Sequence, residues 1–282
     1  MKGRCSPGVD FFIHFLMNHF FFLGLGLIVG SFLNVVALSL EREEDFVSRR
    51  SACPKCGNMI AWYDNIPLLS FLLLGGKCRH CGEKISWQYP AVEVLTGITF
   101  LLVGVYFFDV YEVISWVETG WLFGLFSLLI VIALYDARTM EIPVTLLWIA
   151  GAWTLSFLLI SDFFGTSGDI GLFSLERTVS GVAAGFGAWV FFAGLSYVSK
   201  ETWMGWGDSW LALVIGLAVG IPDIVFVLTL AFGIGALYAS GLILWYGKNM
   251  KTRVPFGPFL ALGAAIHILL TQIFPFQYGL PF

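Results

Sequence analysis

Long apolar runs separated by short polar segments make up most of this chain. A transmembrane helix needs roughly 20 apolar residues, with a practical range of about 17 to 25. Three runs, at residues 91–108, 119–135 and 202–222, are marginal in length on this criterion, so their ends are the least well defined. The pattern predicts about eight transmembrane helices, at residues 11–40, 91–108, 119–135, 142–161, 178–199, 202–222, 224–247 and 254–275.

The composition agrees with a protein that contacts lipid. Hydrophobic residues fill 58% of the 282 positions and charged residues only 12%, whereas about a quarter of an ordinary soluble domain is charged. The first run is about twice as long as a signal-peptide core and no small-residue cleavage site follows it, so we interpret it as a retained helix. We predict an all-α polytopic membrane protein whose partner is the lipid bilayer, with no nucleic acid, and we leave the oligomeric state open.

The basic residues are distributed unevenly between the two sides of this predicted bundle. Twelve of the fifteen Lys and Arg residues fall in loops on one side, which is the cytoplasmic side by the positive-inside rule. Both termini then face away from the cytoplasm. Seven of the twelve lie between the first two helices, at Arg42, Arg49, Arg50, Lys55, Lys77, Arg79 and Lys84.

Residues 41–90 form the only long polar stretch, and they contain two CxxCG motifs. Four cysteines in this arrangement suit tetrahedral zinc, and the glycine after each pair allows the tight turn that directs backbone N–H groups at sulfur. The alternatives are a pair of disulfides or two redox motifs, which the reducing cytoplasmic side disfavours. The predicted zinc ligands are Cys53, Cys56, Cys78 and Cys81.

A segment of this size buries little apolar surface, so the metal matters to its folding. A structural zinc ion contributes on the order of 10 kcal/mol. His80 lies inside the second motif as a competing ligand, although four thiolates already complete the shell. Cys5 stands alone near the N-terminus and is interpreted as an unpaired thiol.

Two aspartates lie at the ends of apolar runs on the predicted cytoplasmic side. Asp136 ends the third run, and Asp208 follows Gly205, Trp206 and Gly207 at the start of the sixth. Two carboxylates that share one proton can hydrolyse a peptide, because one activates water while the other assists the carbonyl. Glycine permits positive φ and the close approach of a substrate backbone. The pattern therefore predicts an aspartyl protease at the membrane surface.

A simpler interpretation is that either aspartate only caps a helix N-terminus, and for Asp208 this alone would explain its position. No HExxH, GxSxG or P-loop motif offers a competing hydrolase chemistry. Glycines spaced four residues apart predict close helix packing; these pairs are Gly26 and Gly30, Gly181 and Gly185, and Gly216 and Gly220.

Several longer motifs, in order along the chain, resemble the bifunctional type IV prepilin peptidases. They are GSFLNVV at 30–36, the two cysteine motifs, YDNIPLLSFLLLGGKC at 63–78, ISWQYPAVEVLTG at 85–97, the Asp136 region, GWGD at 205–208 and PFGPFLALGA at 255–264. The resemblance implies a GxGD aspartyl protease of the bacterial inner membrane, with Asp136 and Asp208 as a catalytic pair that faces the cytoplasm and the four cysteines as zinc ligands.

The same resemblance implies two reactions. Family members remove the basic leader of type IV prepilins or type II secretion pseudopilins after a glycine. They then methylate the new N-terminal residue with S-adenosylmethionine as donor. The methyl-donor site is not evident from the motifs; acids such as Asp64, Glu83 or Glu93 and neighbouring aromatic residues could hold a sulfonium through charge and cation–π contact. The aromatic residues have an equal interpretation as anchors at the membrane interface.

The chain departs from the family pattern at two positions. Trp210 stands where many members carry a Lys two positions after the aspartate of GxGD, and Val144 replaces the acid of an IPD tripeptide. Both catalytic carboxylates remain, but any substrate contact or charge effect of the missing Lys and Asp is lost.

The expected organisation is an N-terminal transmembrane helix at 1–40, a cytoplasmic zinc-binding domain at 41–90 and a polytopic peptidase domain at 91–282. Two alternatives to the bifunctional enzyme stay open. One is a peptidase without methyltransferase activity. The other is a zinc-stabilised membrane scaffold or transporter, in which the aspartates bind ions.

Overall fold

The computed structural model describes residues 7–42, 52–109, 111–164, 176–246 and 254–273; for residues 7–16, 164, 246, 272 and 273 it describes the backbone alone. Across these ranges the regular structure is helical, apart from two isolated β-bridges in the cysteine segment. A single 3₁₀ turn covers Trp62–Asn65. The α-helices are α1 (Pro7–Glu41), α2 (Leu69–Leu73), α3 (Gln88–Tyr106), α4 (Val113–Thr139), α5 (Val144–Phe164), α6 (Glu176–Ser199), α7 (Trp206–Val219), α8 (Asp223–Tyr246) and α9 (Gly257–Ile273).

The all-helical, multi-pass character predicted from the apolar runs is confirmed. Among the described residues, six helices are long and apolar enough to cross a membrane, namely α1, α3, α4, α5, α6 and α8. Two shorter apolar helices, α7 and α9, occupy the other two predicted runs. With 14 and 17 residues they fall at or below the length that a bilayer requires, so the count of eight spans stays a prediction.

The chain forms two compact units, Met1–Phe108 and Asp109–Phe282. The first contains α1 to α3 and the cysteine segment, and the second contains α4 to α9. The division into segments 1–40, 41–90 and 91–282 stays a prediction.

In the first unit, α1 and α3 pack antiparallel through small residues. A Cβ atom on Gly26 would lie 2.7 Å from the carbonyl oxygen of Thr96, and one on Gly30 would lie 2.8 Å from the Cα atom of Glu93. The two helices therefore approach closely where α1 has no side chain, as the glycine spacing predicts. Further along α1, the buried Asn34 side chain donates hydrogen bonds to the carbonyl oxygens of Gly30 and Tyr89, both at 3.2 Å.

In the second unit, α7 lies against α5, α6 and α9, and α4 lies against α5 and α9. The contact between α6 and α7 is backbone to backbone, since a Cβ atom on Gly216 would lie 2.5 Å from the Cα atom of Gly185. This confirms the close packing that the second and third glycine pairs predict. Because α4 and α7 both pack against α5 and α9, the two helices occupy neighbouring positions in this unit.

Candidate active site

Asp136 lies in the last turn of α4, close to the helix end that the sequence predicts. Its side chain is only 4% exposed, and the helix ends at Met140, which adopts the left-handed conformation. A buried carboxylate needs hydrogen-bond partners to remain charged. The structure supplies one from a helix that is distant in sequence.

That partner is the backbone N–H of Gly257, the first residue of α9. It donates to Oδ2 of Asp136 over 2.9 Å in a buried hydrogen bond. The first amides of a helix have no acceptor inside the helix, and the helix dipole places partial positive charge there. The carboxylate of Asp136 therefore caps α9. A Cβ atom on Gly257 would lie 2.7 Å from the same oxygen, so the contact requires glycine.

Asp208 is the third residue of α7 and is half-buried. Its Oδ2 accepts a hydrogen bond of 3.2 Å from the backbone N–H of Gly205, just before the helix. The capping role that the sequence suggests for Asp208 is therefore present. This cap uses only Oδ2 of Asp208, so the Oδ1 atom is left for a second partner.

The two aspartates lie on adjoining segments, because Gly207, next to Asp208, packs against Ile142 in the connection that follows α4, and the charge of Asp136 acts on Asp208. Each carboxylate is held by an N–H group at the beginning of a helix, Asp136 by α9 and Asp208 by α7. Two helix N-termini therefore converge on this pair and favour one net negative charge there. Like charges at short range oppose full ionisation of both, so the arrangement suits a pair that shares one proton.

The loop before Asp208 is fixed by serines at the end of α6. The Oγ of Ser196 donates to the carbonyl oxygens of Met204 and Gly205, at 3.0 and 3.2 Å. The chain turns sharply between them, since Lys200 and Glu201 have φ values of 50° and 60°. These contacts hold the GWGD segment in place before the helix begins.

The two glycines of this motif do not use the positive φ that glycine permits. Gly205 has φ of −80°, and Gly207 lies within α7. A Cβ atom on Gly207 would lie 2.9 Å from Cβ of Ile142, in the connection between α4 and α5. Gly207 therefore allows α7 to pack against the segment that follows Asp136. A Cβ atom on Gly205 would find no atom closer than 3.8 Å, where it meets Oδ2 of Asp208, so there is space beside that carboxylate.

Trp210 lies on the opposite side of α7 from Asp208, because two residues correspond to a rotation of about 200°. Its ring packs between Trp148 of α5 and Trp189 of α6, with centroid distances of 5.6 and 5.7 Å. The position that carries Lys in many family members here belongs to an aromatic cluster, so this departure alters packing rather than the surroundings of Asp208.

Val144, the second departure, is the first residue of α5 and is 58% exposed. The first turn of α5 contains no acid. We expect Val144→Asp to stabilise the protein by about 0.3 to 1 kcal/mol, because an anion at a helix N-terminus interacts favourably with the dipole. Thermal unfolding in detergent measures this, with Val144→Asn as the uncharged control; a gain of the same size in Asn would contradict the charge effect.

The four predicted zinc ligands converge in the first unit. All four Sγ atoms lie within 4.8 Å of one another, and those of Cys53 and Cys81 are 3.9 Å apart. Four sulfurs around a zinc ion, each at about 2.3 Å, would be about 3.8 Å apart. The four are free thiols rather than disulfides. The cluster therefore fits a four-cysteine zinc site.

The two cysteine motifs have the same local geometry. Gly57 and Gly82 both adopt the left-handed conformation, with φ values of 71° and 70°, as the tight turns require. Backbone N–H groups of Cys56 and Lys55 lower the pKa of Cys53 to about 7. The corresponding amides of Cys81 and His80 lower the pKa of Cys78. These amides favour the thiolate form of Cys53 and Cys78, whereas desolvation and the three neighbouring thiols raise the pKa of Cys81.

The three acids suggested for the methyl donor have different surroundings. Both oxygens of Asp64 accept hydrogen bonds from Arg79, at 2.6 and 2.8 Å, which hold the pKa of Asp64 below its usual range. Glu93 is buried, and its Oε2 accepts a hydrogen bond of 2.8 Å from the N–H of Leu68. Glu83 is exposed on the second cysteine motif. Asp64 and Glu93 thus already have structural partners, and the assignment of a donor site stays a prediction.

Gly257 is a site residue that the sequence analysis does not predict. Its motif, PFGPFLALGA at 255–264, contributes only to the family resemblance. The available signal was a glycine that opens an apolar helix directly after Pro255 and Phe256, where free amides require an acceptor.

Comparison with known proteins gives matches along most of the chain. Residues 25–107 match the Bacterial Peptidase A24 N-terminal domain, and residues 123–240 match the Type IV leader peptidase family. No solved structure gives a significant match.

Three curated relatives illustrate the similarity. A Prepilin leader peptidase/N-methyltransferase of Vibrio cholerae is 33% identical over 264 residues, which cover 86% of this chain and 92% of the relative. One of the same name from Pectobacterium carotovorum is 33% identical over 280 residues, with 87% and 91% covered. A Type 4 prepilin-like proteins leader peptide-processing enzyme of Escherichia coli is 31% identical over 270 residues, with 88% and 93% covered. The chain therefore belongs to the type IV leader peptidase family.

Proposed function

We propose that this protein is a prepilin leader peptidase and N-methyltransferase of the bacterial inner membrane. It removes the basic leader of a type IV prepilin or type II secretion pseudopilin after a glycine, and it methylates the new N-terminus with S-adenosylmethionine. The observation that carries the peptidase assignment is the convergence of Asp136 and Asp208 at two helix N-termini. The uneven distribution of basic residues supports a site that faces the cytoplasm.

Peptide hydrolysis by this pair begins with one proton shared between Asp136 and Asp208. The ionised carboxylate removes a proton from a water molecule while the water oxygen bonds to the scissile carbonyl carbon. The protonated carboxyl gives its proton to the carbonyl oxygen. The C–N bond then breaks as the proton taken from water passes to the amine, and the hydroxyl proton returns to the pair. The two carboxyls therefore titrate as a unit.

The protein supports this chemistry by holding the pair in place before substrate arrives. Gly257 fixes one oxygen of Asp136, and Ser196 fixes the loop that leads to Asp208. The space beside Gly205 admits the backbone of an extended peptide, so we assign Gly205 to the approach of the substrate. Gly207, the second glycine predicted for this role, would act indirectly, because it lets α7 pack against Ile142 and so positions Asp208. Such positioning removes much of the entropic barrier to reaction.

In the first unit, a zinc ion would be held by the four cysteines Cys53, Cys56, Cys78 and Cys81. Zinc would make this segment rigid, because little apolar surface is buried there.

S-adenosylmethionine supplies the methyl group for the second reaction. The amine released by cleavage has a pKa of about 8 and is therefore partly uncharged near neutral pH, as a nucleophile must be.

Mass spectrometry of a prepilin co-expressed with the protein tests this proposal, because leader loss and a methyl mass shift are read together. We expect both changes. Leader loss without the methyl shift would select a peptidase without methyltransferase activity. An unprocessed prepilin beside correctly inserted protein would reject the enzyme and favour a zinc-stabilised scaffold or transporter.

We expect Gly257→Ala to slow leader cleavage by about 10- to 100-fold, since losing a buried hydrogen bond to a charged group costs about 1.5 to 3 kcal/mol. The added methyl group would displace Asp136 from the α9 amide. Initial rates on a purified prepilin measure the effect. Gly233→Ala on α8 is the matched control, because a Cβ atom there meets nothing within 4 Å. Equal rates for the two variants would show that the contact is not needed.

A further inference from the structure

The short helix α2 exposes an apolar face. Leu69, Leu72 and Leu73 are 49%, 73% and 77% exposed, and their spacing places them on one side of the helix. Ser70, beside this face, is buried and donates to the carbonyl oxygen of Tyr63. A cluster of leucines directed away from the protein indicates a surface that is covered by something else.

The position of α2 along α3 identifies what covers it. The N–H of Leu68, directly before α2, donates to Glu93 in the second turn of α3, and the ring of Phe71 lies 5.0 Å from that of Trp87, directly before α3. Because α3 rises about 1.5 Å per residue, both contacts lie within about 9 Å of its first residue. α3 is apolar and long enough to cross a bilayer. The start of such a helix lies at the membrane interface, so α2 lies at that depth as well.

Two lysines follow α2 closely along the chain. Lys77 and Lys84 pair across an isolated β-bridge that follows α2 after Gly75 and Gly76, and both lysines are exposed. Arg79, between the two lysines, is paired with Asp64, and Glu83 is the neighbouring exposed acid, so the two lysines stand against one unpaired acid. An apolar helix face bordered by lysines is the chemistry that recognises the headgroup and upper acyl region of an anionic bilayer.

We propose that α2 and the Lys77–Lys84 bridge form an interfacial docking surface for anionic lipid, with Leu69, Leu72 and Leu73 among the upper acyl chains. Glu93 is the tether that sets its depth, since it binds the N–H of Leu68, a residue held at φ of 58°. The surface keeps the cysteine segment against the membrane. This goes beyond the proposed peptidase and methyltransferase reactions.

Photocrosslinking in nanodiscs that contain phosphatidylglycerol and phosphatidylcholine tests the proposal. The full-length protein carries p-benzoylphenylalanine in place of Leu72 or, in a second variant, Leu73. Met59 is the matched control, because it is also apolar and 66% exposed but lies just after the first cysteine motif, in the bridge with Ala52. Retained zinc in each preparation shows that the segment is folded.

We expect lipid adducts at Leu72 or Leu73 to exceed those at Met59 about tenfold. Lys77→Ser and Lys84→Ser should each lower the preference for the anionic lipid about fivefold, since one basic residue near the surface contributes about 1 kcal/mol. Equal lipid adducts at all three positions would overturn the proposal. So would adducts at Leu72 and Leu73 to a second copy of the chain or to added prepilin. Because crosslinking requires no cleavage, a chain that docks but leaves prepilin intact would refute only the proposed enzymatic function.

Discussion

Asp136→Asn is expected to reduce leader cleavage by about 10²- to 10⁴-fold, the usual contribution of a general acid or base. The amide keeps the shape of the side chain and can still accept the hydrogen bond from Gly257. It cannot take a proton from water, and it ends the sharing of one proton with Asp208. Asp208→Asn should cause a loss of similar size, and the double variant should be little worse than either single one, because the residues act as a unit. Single-turnover cleavage of purified prepilin measures all three.

Asp162→Asn provides the matched control for this experiment. Asp162 is as buried as Asp136, at 4% exposure, and its Oδ2 accepts a backbone hydrogen bond of 3.0 Å from Thr178. Asp162→Asn therefore shows how much cleavage is lost when a buried, hydrogen-bonded aspartate outside the candidate site is replaced. We expect Asp162→Asn to cleave at nearly the wild-type rate per folded molecule. Cleavage retained by Asp136→Asn or Asp208→Asn would remove the aspartyl pair from the mechanism.

The helices were predictable because the membrane imposes a simple rule on sequence. A backbone in lipid must satisfy its own hydrogen bonds, so each apolar run becomes a helix. The same rule predicts the ends of a helix less well where other helices and loops, rather than lipid, surround it. α7 begins at Trp206, not at residue 202, because Ser196 and Ser199 bind the intervening loop. Such side-chain contacts across a turn leave no periodic signal.

The location of the candidate site was also predictable, since charged residues at the ends of apolar runs are rare and conspicuous. Its supporting contacts were not. Gly257 is 121 residues from Asp136 along the chain, and no spacing rule joins two such positions. The same limit applies to the pair of Asp64 and Arg79. Local turns were better predicted, because the glycine after each CxxC motif follows from backbone sterics alone.

Cys78→Ser is expected to abolish zinc binding and unfold the cysteine segment. The four sulfurs form the metal site together, and a structural zinc ion contributes on the order of 10 kcal/mol. The segment has little else to hold it, since of the four cysteines only Cys53 is buried and most side chains between 54 and 66 are exposed. Metal analysis of the purified protein should fall from one zinc per chain to none, and limited proteolysis should cut within residues 52–87.

The control for this prediction is His80→Ala, which lies between Cys78 and Cys81 but contributes no ligand to the cluster of four. We expect it to retain zinc and protease resistance, because the thiolates complete the tetrahedral shell without it. Removing zinc from the wild-type protein with a chelator should reproduce the proteolysis of Cys78→Ser, while the circular dichroism of the membrane helices stays nearly unchanged. If Cys78→Ser kept its zinc and His80→Ala lost it, the histidine would be a ligand and the four-thiolate assignment would be wrong.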